Sequence, residues 1–267
     1  MDKQEKILPD SYPLYGRDHP PLFELFRSSE KATQTYILRE FSHKTELIEA
    51  ILNADYAIGS YYMGITLSPN VASRHPRTDI IFSAYHKNLF ALYAGFELTS
   101  RGLYGPARSI LRHTFESLII AKFCSLASNS EVYTKWQQGE TIYFTNSVLK
   151  KIKKPSPAVF QEYWKTMSEF VHATVYAQQI SFAGENLCEN IQFNLDLILA
   201  LAECHYHILI SYLVTPSVRY YSDYGANHLG QDEKAGLSRQ KQAIRALFSD
   251  AKKRTIPSLR KLVNQWC

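Results

Sequence analysis

Gly102-Leu-Tyr-Gly105-Pro106-Ala-Arg108-Ser-Ile-Leu-Arg112-His-Thr-Phe-Glu116 is the stretch on which the fold turns. Two glycines and a proline make a short break, and Pro106 suits the first turn of a helix, where a missing N–H costs nothing. Behind the break, apolar residues recur at helical spacing from Asp79 to Ser100, and ahead of it they run on to about Ala127. Two long helices with so short a joint form an antiparallel hairpin. The second helix carries charges at every fourth residue, Arg108, Arg112 and Glu116, inside an otherwise apolar run. At ~100° per residue the triplet drifts across only ~80° of helix surface. Such a helix has no broad polar face, so these charges are either paired inside the protein or line a pocket.

Periodicity pushes the hairpin further. His86, Phe90, Tyr93, Glu97 and Arg101 share one face of the first helix. With the turn near Leu103–Tyr104, Glu97 falls across from Arg108 to Arg112. Glu97 and Arg101 are four apart, as are Arg112 and Glu116, which is the spacing of an intrahelical ion pair. The expectation is a single seam of Glu97, Arg101, Arg108, Arg112 and Glu116 between the two helices. As a structural device it fixes helix register. As a binding site, its surplus Arg suits a phosphate or carboxylate, because guanidinium offers two parallel donors.

Outward from the hairpin the pattern stays helical. Residues 1–30, with Pro9, Pro13, Pro20 and Pro21, read as an irregular arm. One amphipathic helix is predicted from about Lys31 to Ala57, and Gly59–Pro76 resists assignment. A helix over Ser130–Lys154 ends at Pro155, another runs from Ser156-Pro157 to about Gln179, and Asn186–Val214 is long and apolar. A polar helical section follows Gly230. The resulting division is a 31–216 helical core domain followed by 217–267, a loop and C-terminal helical extension. The fold class is all-α, a single bundle-like domain around the hairpin. The 11 Gly and 11 Pro are too few for a strand-and-turn design of this length.

Composition narrows the function classes. A net charge of +5 tolerates an anionic partner but falls short of the dense basic field of a dedicated nucleic-acid binder. The four cysteines are scattered with no C-x-x-C pair, which argues against a paired-cysteine zinc site and for reduced thiols. The polar N-terminus lacks the apolar core of a signal peptide. Asp196, Glu203, His205 and His207 interrupt the one lipid-like stretch, so it reads as a buried helix in a cytoplasmic protein.

The remaining motifs are weaker. Arg108 and His113 satisfy the R-x(4–6)-H spacing of HEPN-type ribonucleases, but composition alone supplies about one such match. On a regular helix they point ~140° apart. Glu203 and His207 have chelating spacing without a visible third ligand, so no metal or other cofactor is expected. Ser168 and His172 lack the acid and oxyanion loop of a hydrolase. Lys150, Lys151, Lys153 and Lys154 end a helix, where cations complement the dipole, and with Lys252–Arg254 and Arg260-Lys261 they offer phosphate contacts.

The run from Leu103 to Glu116, together with Trp136 and Ser168-Glu-Phe-Val-His172, resembles a broad group of uncharacterised bacterial helical proteins. That group combines a small-residue turn, an Arg-x-x-x-Glu helix and a downstream Ser-x-x-x-His. The likeness covers about Asp79–Gln179 and extends weakly to HEPN-type proteins, whose helical relatives occur in toxin and phage-defence loci. It implies that Arg112, Glu116 and His172 are the shared polar residues. The function expected first is a defence- or toxin-type protein acting through protein or nucleic-acid contacts, homodimeric through a helix face. The alternative is a metal-independent ribonuclease using Arg108 or Arg112 with His113 or His172, the Arg stabilising phosphorane charge and the His shuttling the proton. A third reading is a small-anion or nucleotide sensor.

Overall fold

Leu98 and Leu103 show how the hairpin turns. The computed structural model describes residues 22–66, 77–125, 130–152, 157–171, 187–214, 231–255 and 257–266. At the end of the first hairpin helix, Leu103 N–H donates to the Leu98 carbonyl (2.8 Å) and Gly102 N–H to that of Thr99 (3.0 Å). This pair of bonds is a Schellman motif, and it requires a left-handed residue at Gly102, whose φ is +77°. The two helices are Thr78–Ser100 (α3) and Tyr104–Ser125 (α4). Arg77, at the start of α3, donates to the carbonyl of Cys124 at the end of α4 (2.8 Å), so the hairpin is antiparallel.

Nine α-helices and no strand occur among the described residues, as the all-α reading requires. Before the hairpin come α1 (Leu22–Glu40) and α2 (Ser42–Thr66); after it come α5 (Ser130–Gln137), α6 (Pro157–Val171), α7 (Leu187–Ile208), α8 (Gln231–Arg254) and α9 (Pro257–Trp266). Two expected helices are divided. The predicted Lys31–Ala57 helix breaks at Phe41, and its first half begins at Leu22, inside the stretch read as an arm. The predicted Ser130–Lys154 helix stops at Gln137, because Gly139 (φ +69°) forms a second Schellman motif. Its N–H donates to Trp136 O (3.1 Å), and that of Glu140 to Lys135 O (2.9 Å). A π-turn at Phe144–Val148 and a 3₁₀ turn at Leu149–Lys151 follow.

The mating face of α3 is not the charged one. Leu92, Gly95 and Thr99 are buried, and a Cβ on Gly95 would come within 2.8 Å of Leu111. The small residue lets the two backbones close on each other. That contact rotates Phe90 and Tyr93 outward, where they are 66% and 55% exposed.

The lipid-like stretch is the central strut. Cys188–Tyr212 is long and apolar enough to cross a bilayer, but most of it is buried against α2, α3, α4 and α9. Its polar residues have internal partners. Asp196, fully buried, accepts from Lys44 of α2. His205 bonds Asp55 of α2 through Nδ1 and the Tyr85 carbonyl through Nε2 (3.0 Å), with the Tyr85 ring stacked upon it. Both nitrogens face acceptors, so the imidazole is a core fastener between α2, α3 and α7. His207 and Glu203 approach to 3.7 Å, and no cluster able to hold a metal occurs among the described residues.

Candidate functional site

The expected seam does not form as one unit; the structure divides its five charges among three places. Arg108 is 2% exposed and turns away from α3 toward α7, where Nε donates to Asn194 Oδ1 and Nη2 to Asn190 Oδ1, both at 2.8 Å. Its guanidinium lies over the Phe193 ring, 5.0 Å from the centroid. Asn194 passes the network on by donating to Thr99 Oγ1 at 3.2 Å. Glu97 and Arg101 form a separate surface group with Glu30 of α1, at 3.7 and 3.4 Å. The reason for the split is the Gly95–Leu111 contact, which gives the α3–α4 interface to small and apolar side chains and leaves Glu97 outside it.

Arg112 and Glu116 make the third place. Arg112 Nε donates to Glu116 Oε1 (3.0 Å), and the same oxygen accepts from Trp164 Nε1 of α6 (2.7 Å). The Arg112 guanidinium covers the Trp164 ring at 5.3 Å, a cation–π contact that closes the group into a triangle. One carboxylate oxygen is thus committed. The other, Oε2, stands 3.8 Å from His113 Nδ1 on the opposite side.

On that side lies a half-open pocket of about 220 Å³ between α3, α4, α5 and the chain that follows α5. Ile80, Ala84, Ile120, Trp136 and Ile142 make it apolar, and Ser83, Lys87, His113, Glu116 and Ser117 supply polar groups. Lys87 and His113 are exposed, whereas Glu116 is half-buried. Trp136 is delivered by a chain of contacts from the start of α3. Tyr133 stacks on Trp136 at 6.1 Å and donates its hydroxyl to Asp79 (2.9 Å), and Arg77 lies over the Tyr133 ring. The Tyr133 phenol is pushed up to about 12, first by burial and then by its bond to Asp79.

Arg108 and His113 are not brought together. The first faces α7 and the second lines the pocket, so the R-x(4–6)-H pair has no shared site. The Lys150 amine donates to Asn146 (2.9 Å) and Lys151 reaches Glu131 (3.5 Å). Lys135 also pairs with Glu131, and these two lysines hold its carboxyl below its ordinary range. His172, Lys153 and Lys154 lie outside the described residues. Arg260 turns inward to the carbonyls of Thr255 and Lys253 at the α8–α9 turn.

No sequence pattern marks Lys87 or Trp164 as site residues, and Trp136, noted above for the resemblance, joins the pocket only through the fold. The signal for Trp164 is faint: an indole N–H on an amphipathic helix needs an acceptor, and Glu116 is a carboxylate within an apolar run. For Arg108 the signal was plainer. Asn190 and Asn194 stand one turn apart on an apolar helix, the spacing at which two amides converge on one donor. No family model, curated protein or solved structure matches the chain.

Proposed function

We propose that this protein binds a small anionic molecule in the pocket between α3, α4 and α5, and acts as a sensor of it. The observation that carries the reading is the charge arrangement there. Lys87 and His113 flank an apolar recess whose own carboxylate, Glu116, is already offset by Arg112 and Trp164. An anion entering beside Lys87 therefore meets net positive charge, and a flat apolar body finds Trp136, Ile120 and Ile142. Size limits the ligand. At about 220 Å³ the recess is smaller than the roughly 300–1,000 Å³ of sites for drug-sized molecules, which favours one ring with one anionic group over a dinucleotide.

The defence or toxin setting implied by the sequence resemblance is part of this proposal, with the ligand as the trigger. Ribonuclease chemistry is a weaker reading, since Arg112 is engaged by Glu116 and Trp164 and the Arg108–His113 pair does not form. Calorimetric titration with phenyl phosphate, benzoate and neutral benzamide tests the proposal. The two anions are expected to bind and benzamide not to, and Lys87→Gln to weaken binding about tenfold, the equivalent of ~1.4 kcal/mol. Equal binding of benzamide and benzoate would contradict the anion reading. RNA cleavage in EDTA that disappears in His113→Ala would favour the nuclease instead.

A further inference from the structure

The outward face of α3 is complementary to itself. Phe82, His86, Phe90, Tyr93, Glu97 and Arg101 follow one another at spacings of four, four, three, four and four. At ~100° per residue they occupy one sector ~100° wide, next to the sector that faces the pocket. Phe90 and Tyr93, at its centre, are 66% and 55% exposed. Two neighbouring aromatic rings left in water on one face of a hairpin helix mark a contact surface.

The spacings read the same in both directions, and the chemistry does not. The first half is aromatic, imidazole, aromatic; the second is aromatic, carboxylate, guanidinium. A second α3 laid antiparallel across a two-fold axis midway between Phe90 and Tyr93 brings each half onto the other. Phe90 then meets the partner's Tyr93, His86 the partner's Glu97, and Phe82 the partner's Arg101. These are an aromatic pair, an acid–base pair and a cation–π pair, each formed twice. Sliding the helices by one turn sets His86 against the partner's Arg101 and Phe90 against the partner's Glu97, so the complementarity belongs to one register.

We infer that this face is the contact between two copies of the chain, packed antiparallel through α3 in that register. Such an isologous interface needs one patch that fits itself, and the stripe has that property. The contact is independent of the ligand reading, because its residues lie beside the pocket and none of them lines it.

Sedimentation velocity from low to high micromolar concentration tests the inference. The wild type is expected to shift from monomer to dimer, and Phe90→Glu to weaken association by about tenfold or more while leaving the thermal midpoint nearly unchanged. Tyr93→Arg is the second disrupting variant, should the first fold poorly. Glu97→Lys and His86→Glu are each expected to weaken the dimer, and the double variant to recover most of the loss, since the pair re-forms with its signs exchanged. A monomer at every concentration overturns the proposal. A dimer insensitive to Phe90→Glu and Tyr93→Arg overturns the face, and a double variant as weak as the singles overturns the register.

Discussion

Arg108 and Arg112 stand one turn apart on α4 and do different work. Arg108 is enclosed, and amide oxygens of Asn190 and Asn194 accept from it. Asn194→Leu keeps the volume and removes one of the two acceptors while Asn190 remains, so it is expected to cost about 2–3 kcal/mol, the upper range for a hydrogen bond to a buried charge. Arg112 and Glu116 keep 14% and 17% of their side chains exposed, and water softens their separation. Arg112→Ala is expected to cost about 1–2 kcal/mol, the lower range for a hydrogen bond to a charged group that water can replace in part. Urea unfolding of the two variants checks the order. An Arg112→Ala protein less stable than Asn194→Leu would place the structural charge at the wrong residue.

At the scale of elements, glycines decide where helices meet. A Cβ on Gly59 of α2 would fall 2.0 Å from the Tyr85 hydroxyl, whereas on Gly95 it meets the flexible end of Leu111 at 2.8 Å. Tyr85 is buried and its hydroxyl donates to the Asp55 and Tyr56 carbonyls, so it has little freedom to move. Gly59→Ala should therefore destabilise by about 1–3 kcal/mol through overpacking. Gly95→Ala should cost less than Gly59→Ala, because its closest contact is longer and the helix propensity of Ala returns about 1 kcal/mol against the crowding of Leu111. Equal thermal shifts for the two would contradict this account of the α2–α3 contact. These positions also show what the sequence made legible. The Gly102 turn, Pro106 and the apolar periodicity located the hairpin, and Pro157 the start of α6. Gly139 had the same meaning as Gly102, but it stood within a run of helical spacing, and a left-handed cap is recognised by its backbone conformation rather than by its neighbours. The face of α3 that carries Glu97 and Arg101 turns outward, where Arg101 pairs with Glu97 and with Glu30 of α1, and not toward α4 as the seam expectation had it. Periodicity tells which residues share a face, whereas burial cost and backbone approach decide which face turns inward.

For the whole molecule, α7 is the strut against which α2, α3, α4 and α9 pack, and buried polar groups fasten it: Lys44 to Asp196 and Asp55 to His205. None of these pairs could be read from the chain, since their members lie more than a hundred residues apart. Buried tyrosines set the alkaline limit. Burial raises the phenols of Tyr85 and Tyr104, and that of Tyr206 is pushed up to about 12. The unfolded chain loses these protons near pH 10, while the folded protein still holds them. Stability is thus intact below about pH 10 and falls above it, by up to roughly 1.4 kcal/mol per pH unit for each such group. Denaturant unfolding at stepped pH checks the slope. Constant stability through pH 11 would show that the phenols reach water without unfolding.

The proposed anion site beside Lys87, His113 and Glu116 is tested most directly by a two-dimensional NMR titration of wild-type protein with phenyl phosphate. The backbone amides of Lys87, His113, Ser117 and Trp136 are expected to shift together and saturate, those of Asn190 and Asn194 around Arg108 to stay still, and Lys87→Gln to lose the response. Shifts centred on Arg108 and α7, or none at the pocket amides, would contradict it.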